Sequence, residues 1–154
     1  VSKYPIRLTG NEQIDDDHRE LWELFQSIKA APKDQERVLE SMRLLSDGWV
    51  EHFKREEAVM AQAGYPGLEA HKTLHRQYHE RILEFQKNLE QRKEMAQSEW
   101  ERMLAEAKLE AGLEVVTECS TCIKVAAFLT QWFLQHTNFE DQKYVAYLKS
   151  ASGA

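Results

Sequence analysis

Two short runs constrain this chain more than any others: His52-Phe53-Lys54-Arg55-Glu56 and His71-Lys72-Thr73-Leu74-His75. Each places two side chains able to bind a metal at i and i+4. On an α-helix four residues turn through about 400°, so the second side chain lands about 40° from the first, one turn along. Both can reach one small volume. Between the runs lies Gly64-Tyr65-Pro66-Gly67, a sequence that stops one helix and lets the next return. Two helices joined in this way can turn their paired side chains toward each other, which is how metal sites are assembled inside helix bundles.

The rest of the chain supplies the helices that such a site requires. Residues 1–13, with Pro5 and Gly10 and no helical period, read as an arm. Asp15, Asp16 and Asp17 put carboxylates where a helix begins and its dipole favours them. A first helix then runs to about Ala31 with His18 in its first turn, an apolar stripe of Leu21, Trp22, Leu24, Phe25 and Ile28, and Pro32 as its stop. A second helix opens near Asp34 and runs to about Ala63, with Val38, Leu39, Met42, Leu45, Trp49, Phe53 and Met60 at helical spacing and Gly48 internal. A third begins near Leu68, and no Gly or Pro interrupts it as far as Ala111. A fourth returns after Gly112, apolar from Val115 to Phe133, and Thr137-Asn138 offers a break before a last short helix to about Leu148. No segment shows strand alternation. The expected fold is all-α: an antiparallel up-down-up-down four-helix bundle over residues 14–154, with an N-terminal arm and a short C-terminal helix.

The stretch 92–112 exceeds what the third helix needs to pair with the fourth. It carries Ala96, Trp100, Met103, Leu104 and Ala107 as an apolar stripe among charges. Either the third helix overhangs the bundle or this stretch forms a further amphipathic helix. The stripe then either covers its own bundle or offers a face for another chain, a second copy included.

Composition narrows the function. A chain of 154 residues suits one domain without disulfides. A net charge of −6 and the lack of a compact basic patch argue against nucleic-acid binding. No apolar run approaches the roughly 18 residues of a membrane span. Residues 1–10 lack the apolar core of a signal peptide, so a cytoplasmic location is expected. Cys119 and Cys122 are too few for a disulfide framework, and on a helical segment they read as two small buried residues rather than a redox pair. The chain begins at Val1 rather than Met, which fits a processed product or a piece of something longer.

Six histidines remain to be explained. One alone would read as a surface or hydrogen-bonded residue; their distribution says more. His18 lies on the first helix, His52 with Glu56 on the second, His71 with His75 on the third, and His136 at the end of the fourth. Asp141 follows His136 by five residues, which a straight helix turns through about 500°, leaving the two about 140° apart. They converge only if the helix breaks between them, and Thr137-Asn138 is the expected break.

Taken in order, His18, His52-x-x-x-Glu56, His71-x-x-x-His75 and His136-x-x-x-x-Asp141 resemble the ligand signature of the hemerythrins in their bacterial form. The flanks His52-Phe53, Glu56-Glu57, Met60, Gly64-Tyr65-Pro66 and Leu129-x-x-Trp132-Phe133-x-x-His136 are similar too, so the resemblance spans His18 to about Leu148. The chain departs from that pattern at Gly48, where the family more often has an aromatic residue, and in the longer stretch before the fourth helix. The resemblance implies a non-haem di-iron centre that binds O2. Glu56 and Asp141 would bridge two irons together with an oxo or hydroxo ligand. His71, His75 and His136 would hold a closed iron; His18 and His52 would hold an open one, where O2 binds. Trp22, Gly48, Trp132 and Phe133 are the candidates for the pocket around it.

The donor chemistry agrees. Five imidazoles and two carboxylates are too many for one ion; this mixture suits iron better than calcium or magnesium, and the lack of thiolates argues against structural zinc. With the coordination filled, His79 is surplus and is taken as a non-ligand. The Glu-x-x-His pairs of ferritin-like enzymes are absent, and His79-Glu80 does not extend to a zinc-protease motif. No acid or base stands out beyond the ligands, so a binding protein is expected rather than an enzyme. The leading reading is an O2 or redox sensor module attached to a signalling output. The alternatives are a free-standing O2 storage protein and, as an enzyme, a di-iron oxidase or peroxidase.

Overall fold

A computed structural model describes residues 3–30, 35–91, 102–103, 105–106 and 121–152. Helix α1 spans Glu12–Ala30 and buries Ile14, His18, Leu21, Phe25 and Ile28, a three-and-four spacing that makes one continuous stripe. It starts earlier than the Asp15–Asp17 run suggests. Asn11 caps it, its Oδ1 accepting the N–H groups of Gln13 at 3.1 Å and Ile14 at 3.2 Å. Gly10 turns the chain into the cap with a φ of +87°. The arm therefore ends at Asn11 and not at Gln13. Asp15, one turn inside the helix, reaches back: its Oδ1 accepts the Thr9 N–H at 2.7 Å and the Thr9 hydroxyl at 2.9 Å.

Helix α2, Gln35–Gln62, carries Val38, Met42, Leu45, Trp49, Phe53 and Met60 into the interior, with His52 and Glu56 on the same side. Its end is a Schellman motif. Gly64 adopts a φ of +67°, its N–H donates to Ala61 O at 3.1 Å, and the Tyr65 N–H donates to Met60 O at 2.9 Å. Pro66 then prevents continuation, and α3 follows as Leu68–Glu90, burying His71, His75, Tyr78, Ile82, Phe85 and Leu89. Helix α4 is Thr121–Gln135 and α5 is Asp141–Ala151, with a turn of π-helix over His136–Glu140 between them.

Helix α2 packs on both α1 and α3, and α4 packs on both α1 and α3, which closes a ring of four. The expected four-helix bundle with a short C-terminal helix is the observed fold. Its apolar interior has two parts. The larger runs from Ile28 and Phe85 to Trp49 and Phe133; the smaller gathers Met60, Tyr144 and Val145, with Tyr65, Leu68 and Leu148 against it. The buried histidines and acids form a polar layer between the two. The arm is strapped to the same end: the Arg7 N–H donates to Asn138 Oδ1 at 2.8 Å, and Asn138 Nδ2 donates to Pro5 O at 3.0 Å. Among the described residues no helix is long and apolar enough to cross a membrane.

Two expectations are decided here. Of the two alternatives for the stretch after α3, the overhanging helix falls away, because α3 ends at Glu90. Arg81 and Glu106 are 25 positions apart yet form an ion pair, a separation that one straight helix would stretch to about 37 Å. The chain has turned back by then, and Met103 lies in the main core at 1% exposure. That part of the stripe covers its own bundle; Trp100 and Leu104 lie outside the described residues. The second, the break at Thr137-Asn138, needs correction. The helix widens there instead of breaking.

Met103→Ala should lower the stability of the folded chain by about 2–5 kcal/mol in urea titration, as a core truncation does, with no change in sedimentation. A shift in oligomeric state without that loss would mean that the segment serves another chain.

Candidate metal centre

Every histidine of the layer arrives on the core stripe of a helix. His18 follows Ile14 and precedes Leu21 on α1, while His52 and Glu56 lie between Trp49 and Met60 on α2. His71 and His75 open the buried stripe of α3. His136 and Asp141 meet because the helix between them is a π turn. The Asp141 N–H donates to His136 O, five residues back, so one turn takes five residues and the two side chains stack on one side. The buried Thr137 hydroxyl donates to Phe133 O at 2.9 Å, occupying a carbonyl that the regular ladder would use.

The seven side chains form two overlapping groups. Glu56, His71, His75, His136 and Asp141 bring one donor atom each within 4.8 Å of one another, as do His18, His52, Glu56 and Asp141. The two acids belong to both groups; the imidazoles divide three and two. Asp141 faces both halves, with Oδ2 at 3.3 Å from His18 Nε2 and Oδ1 at 2.9 Å from His136 Nε2 and 3.2 Å from His71 Nε2. Glu56 Oε2 stands 3.5 Å from His52 Nε2 and 3.3 Å from His75 Nε2.

The spacings suit ions. Two donors at right angles on one first-row metal, each about 2.1 Å from it, stand about 3.0 Å apart. His18 Nε2 and His52 Nε2 are 3.1 Å apart; His75 Nε2 and His136 Nε2 are 3.2 Å apart. Glu56 Oε2, both Asp141 oxygens and His71 Nε2 are buried without a hydrogen-bond partner. Buried polar atoms are rarely left so, and a metal bound among them would satisfy each. The residues fit a pair of cations, with one donor fewer in the His18/His52 half.

The electrostatics without metal show the same design. Burial and each other's charge push Glu56 up, yet His52, His71 and His75 outweigh both and hold it below the ordinary carboxylate range. Burial also pushes Asp141 up, and His136, His18 and His71 hold it well below. Burial pulls the His71 imidazole down, but Asp141 and Glu56 raise it to about 9. A protonated His71 thus gives the two acids the positive charge that a bound cation would give them.

Outer groups fix the rings. Asp17 Oδ2 lies 3.2 Å from His52 Nδ1, and Arg55 grips Asp17 through two bonds of 2.7 Å. Glu57 Oε1 lies 2.8 Å from His75 Nδ1. Both arrangements are the carboxylate–histidine pairs that set a ligand's tautomer. The buried Tyr144 hydroxyl donates to Glu56 Oε1 at 2.8 Å. Sequence reasoning missed Asp17, Arg55, Glu57 and Tyr144. Three of them had one signal, adjacency, since Asp17 precedes His18 and Arg55 and Glu57 flank Glu56; Tyr144 had none.

The four pocket candidates fall in different places. Phe133 stands edge-on to His18 with ring centroids 5.9 Å apart, and Trp22 stacks behind Phe133. Trp132 lies on the other half, stacked on His136. Gly48 does not face His52: a Cβ there would meet Leu21 Cδ2 at 3.4 Å, and the glycine lines a surface groove between α1 and α2. The wall beside His52 is Trp49, fully buried with ring centroids 5.5 Å apart, which the sequence reading placed only in the core. His79 lies outside both groups, with Nε2 at 3.1 Å from Ser46 Oγ. The reading of Cys119 and Cys122 falls on side chains outside the described residues.

The chain is similar to known proteins. A family model described as the hemerythrin HHE cation binding domain matches residues 9–148. The bacteriohemerythrin of Stenotrophomonas maltophilia is 26% identical over 143 residues, covering 92% of this chain and 76% of that protein. A bacteriohemerythrin of Pseudomonas aeruginosa is 25% identical over 139 residues, covering 89% and 74%. That of Campylobacter jejuni is 27% identical over 144 residues, covering 90% and 87%.

The His71 shift has a consequence for stability. A raised folded-state pKa contributes stability that is complete below the ordinary 6.5 and disappears as pH rises through about 9. The urea midpoint of the metal-free protein should therefore fall across that window. The metal-loaded protein should show a flatter profile, because the ion replaces the proton. Parallel profiles for the two forms would contradict this.

Proposed function

The chain belongs to the hemerythrin HHE cation-binding domain family, and from that premise we propose that it is a non-haem di-iron, O2-binding domain that works as an O2 or redox sensor. One observation carries the di-iron reading: two donor groups share Glu56 and Asp141, and one has a donor fewer than the other. His71, His75 and His136 would hold one iron and His18 and His52 the other, with Glu56 and Asp141 available to both. Iron bound there would supply reversible O2 binding in the half that lacks a donor. Family membership accords with a binding protein, not an enzyme.

The chain's own residues prepare that half. Phe133 stands against His18 and Trp49 against His52, which closes the core side of that half to water. Asp17, ionised beside Arg55, holds the His52 ring in one orientation. Tyr144 holds Glu56; burial first, then the charges of Glu56 and Asp141, push its hydroxyl well above the ordinary phenol range, so it stays a donor.

The sensor reading draws on the groove at Gly48. Leu21, Leu24 and Leu44 line it with Gly48, and Asp17 and Arg55 lie at one end. Solvent thus comes within one hydrogen bond of His52. A wall this thin favours conversion to a lasting oxidised state, and two lasting states serve a sensor better than a carrier. The domain then acts as a cytoplasmic module that passes its state to an attached signalling domain.

Two measurements check this. Metal analysis should find two irons per chain, with Glu56→Ala and Asp141→Ala each sharply reducing the second. Asp17→Ala and Glu57→Ala, which remove only outer hydrogen bonds, should weaken affinity by about 10- to 100-fold. One zinc per chain, or iron indifferent to both bridging acids, would sink the reading.

The second mixes the reduced protein with O2 and follows the charge-transfer bands of the oxidised pair. Phe133→Ala should speed oxidation and Gly48→Leu should slow it. An O2 adduct that lasts for hours and releases O2 under vacuum would favour storage.

A further inference from the structure

The rings around the centre differ in one respect. Phe53, which stacks on His75, is buried, whereas Trp132 is half-buried and touches solvent. Trp132 stacks on His136 with centroids 4.4 Å apart and planes 11° apart, and on Tyr78 at 3.6 Å and 12°. One π stack therefore runs from a metal-facing imidazole to the surface. Trp132 lines two adjoining grooves between α3 and α4, and His136 lies in the second. The first has Met103 and Phe128 at its floor. Its rim carries Glu80, Glu84 and Glu106 against two guanidinium groups: Arg81, engaged by Glu84 at 2.6 Å and by Glu106, and Arg102, 3.6 Å from Glu106; the carboxylates stay in excess by one.

A wall that only had to exclude water would not need a flat ring open to solvent. A stacked indole couples electronically across the same gap far better than a saturated side chain does. We propose that Trp132 is the port through which electrons reach the metal pair, and that the acidic groove beside it seats an electron-transfer protein presenting a basic face around an exposed redox group. This rests on the di-iron reading above. Two donor molecules would each give up one electron to a bound ferric pair, reducing it to the ferrous state, and solvent would supply the proton that balances the charge. The opposite charges of rim and donor speed encounter and weaken with added salt. The arrangement answers a need of the proposed sensor, since a centre that oxidises readily must be returned to its reduced state.

Methyl viologen, a flat dication, is the probe. Calorimetry on the metal-free protein should show it binding, and Trp132→Leu or the surface pair Glu84→Gln/Glu106→Gln should weaken binding by about three- to thirtyfold, the range of a cation–π contact. In the oxidised, metal-loaded protein the viologen radical cation should reduce the centre severalfold more slowly in Trp132→Leu than in the wild type, at equal metal content. Trp132→Phe should recover part of the rate, and Phe85→Leu, which removes a buried ring elsewhere in the core, should leave it unchanged. Equal rates in Trp132→Leu and the wild type would overturn the port, as would equal slowing by Phe85→Leu. No viologen binding to the metal-free wild type would overturn the acidic seat. A chain that takes up no redox-active metal would overturn the di-iron reading instead, and the calorimetric arm would still test the groove.

Discussion

The bundle depends on two ionised carboxylates, Glu56 and Asp141, held at 0% exposure. A carboxylate taken out of water costs several kcal/mol even after the surroundings relax, so it stays charged only where positive partners are aimed at it. Five imidazoles surround them from four elements that approach from different directions, and the two acids raise His18 and His71 toward their charged forms. That requirement sets the register of the helices. Moving α2 by one residue would swing His52 and Glu56 through about 100° and leave the opposing rings facing hydrocarbon. Apolar packing alone tolerates such slippage within limits; a shared polar layer does not, which makes it a specificity device as much as a binding site.

Its placement between two hydrophobic clusters has a second effect. Phe25, Trp49, Phe133 and their neighbours press on the layer from one side, Met60 and Tyr144 from the other. Attraction between ions and donors is far stronger in such surroundings than in water. The enclosure is uneven: His75 lies flat against Phe53 and His136 against Trp132, while His18 meets the edge of Phe133. A stacked ring leaves little room beside the imidazole it covers, whereas an edge-on ring leaves some. The unevenness coincides with the unequal donor count.

The N-terminal arm belongs to the same construction. Asn138, inside the π turn, exchanges hydrogen bonds with Pro5 and Arg7, and Gln142 donates to Leu8 O at 3.4 Å. A π turn leaves ladder groups poorly matched and persists where other bonds compensate. The arm and the Thr137 hydroxyl supply those bonds, so residues remote in sequence stabilise the geometry that brings Asp141 beside His136.

What the sequence by itself determined are the features carried by one helix at a time. The i and i+4 pairs His52/Glu56 and His71/His75 follow from helix geometry wherever the helix lies. Gly64 and Pro66 stop α2 by local backbone sterics. The all-helical class and the order of the donors were readable for the same reason, and the resemblance they carried holds. Tertiary structure decided what depends on the rotation and offset of one helix against another. Trp132 and Phe133 are neighbours in the chain, yet they cover opposite halves of the centre, because adjacent positions on a helix point about 100° apart toward different neighbours. Trp49 walls His52 on the core side, while Gly48 lines the surface groove between α1 and α2. Met103 returned to the core only because α3 ends at Glu90. The meeting of His136 with Asp141 was foreseen as a break and proved to be an added residue in one turn, since periodicity counts residues but hydrogen bonds from the arm and from Thr137 decide how many of them that turn contains.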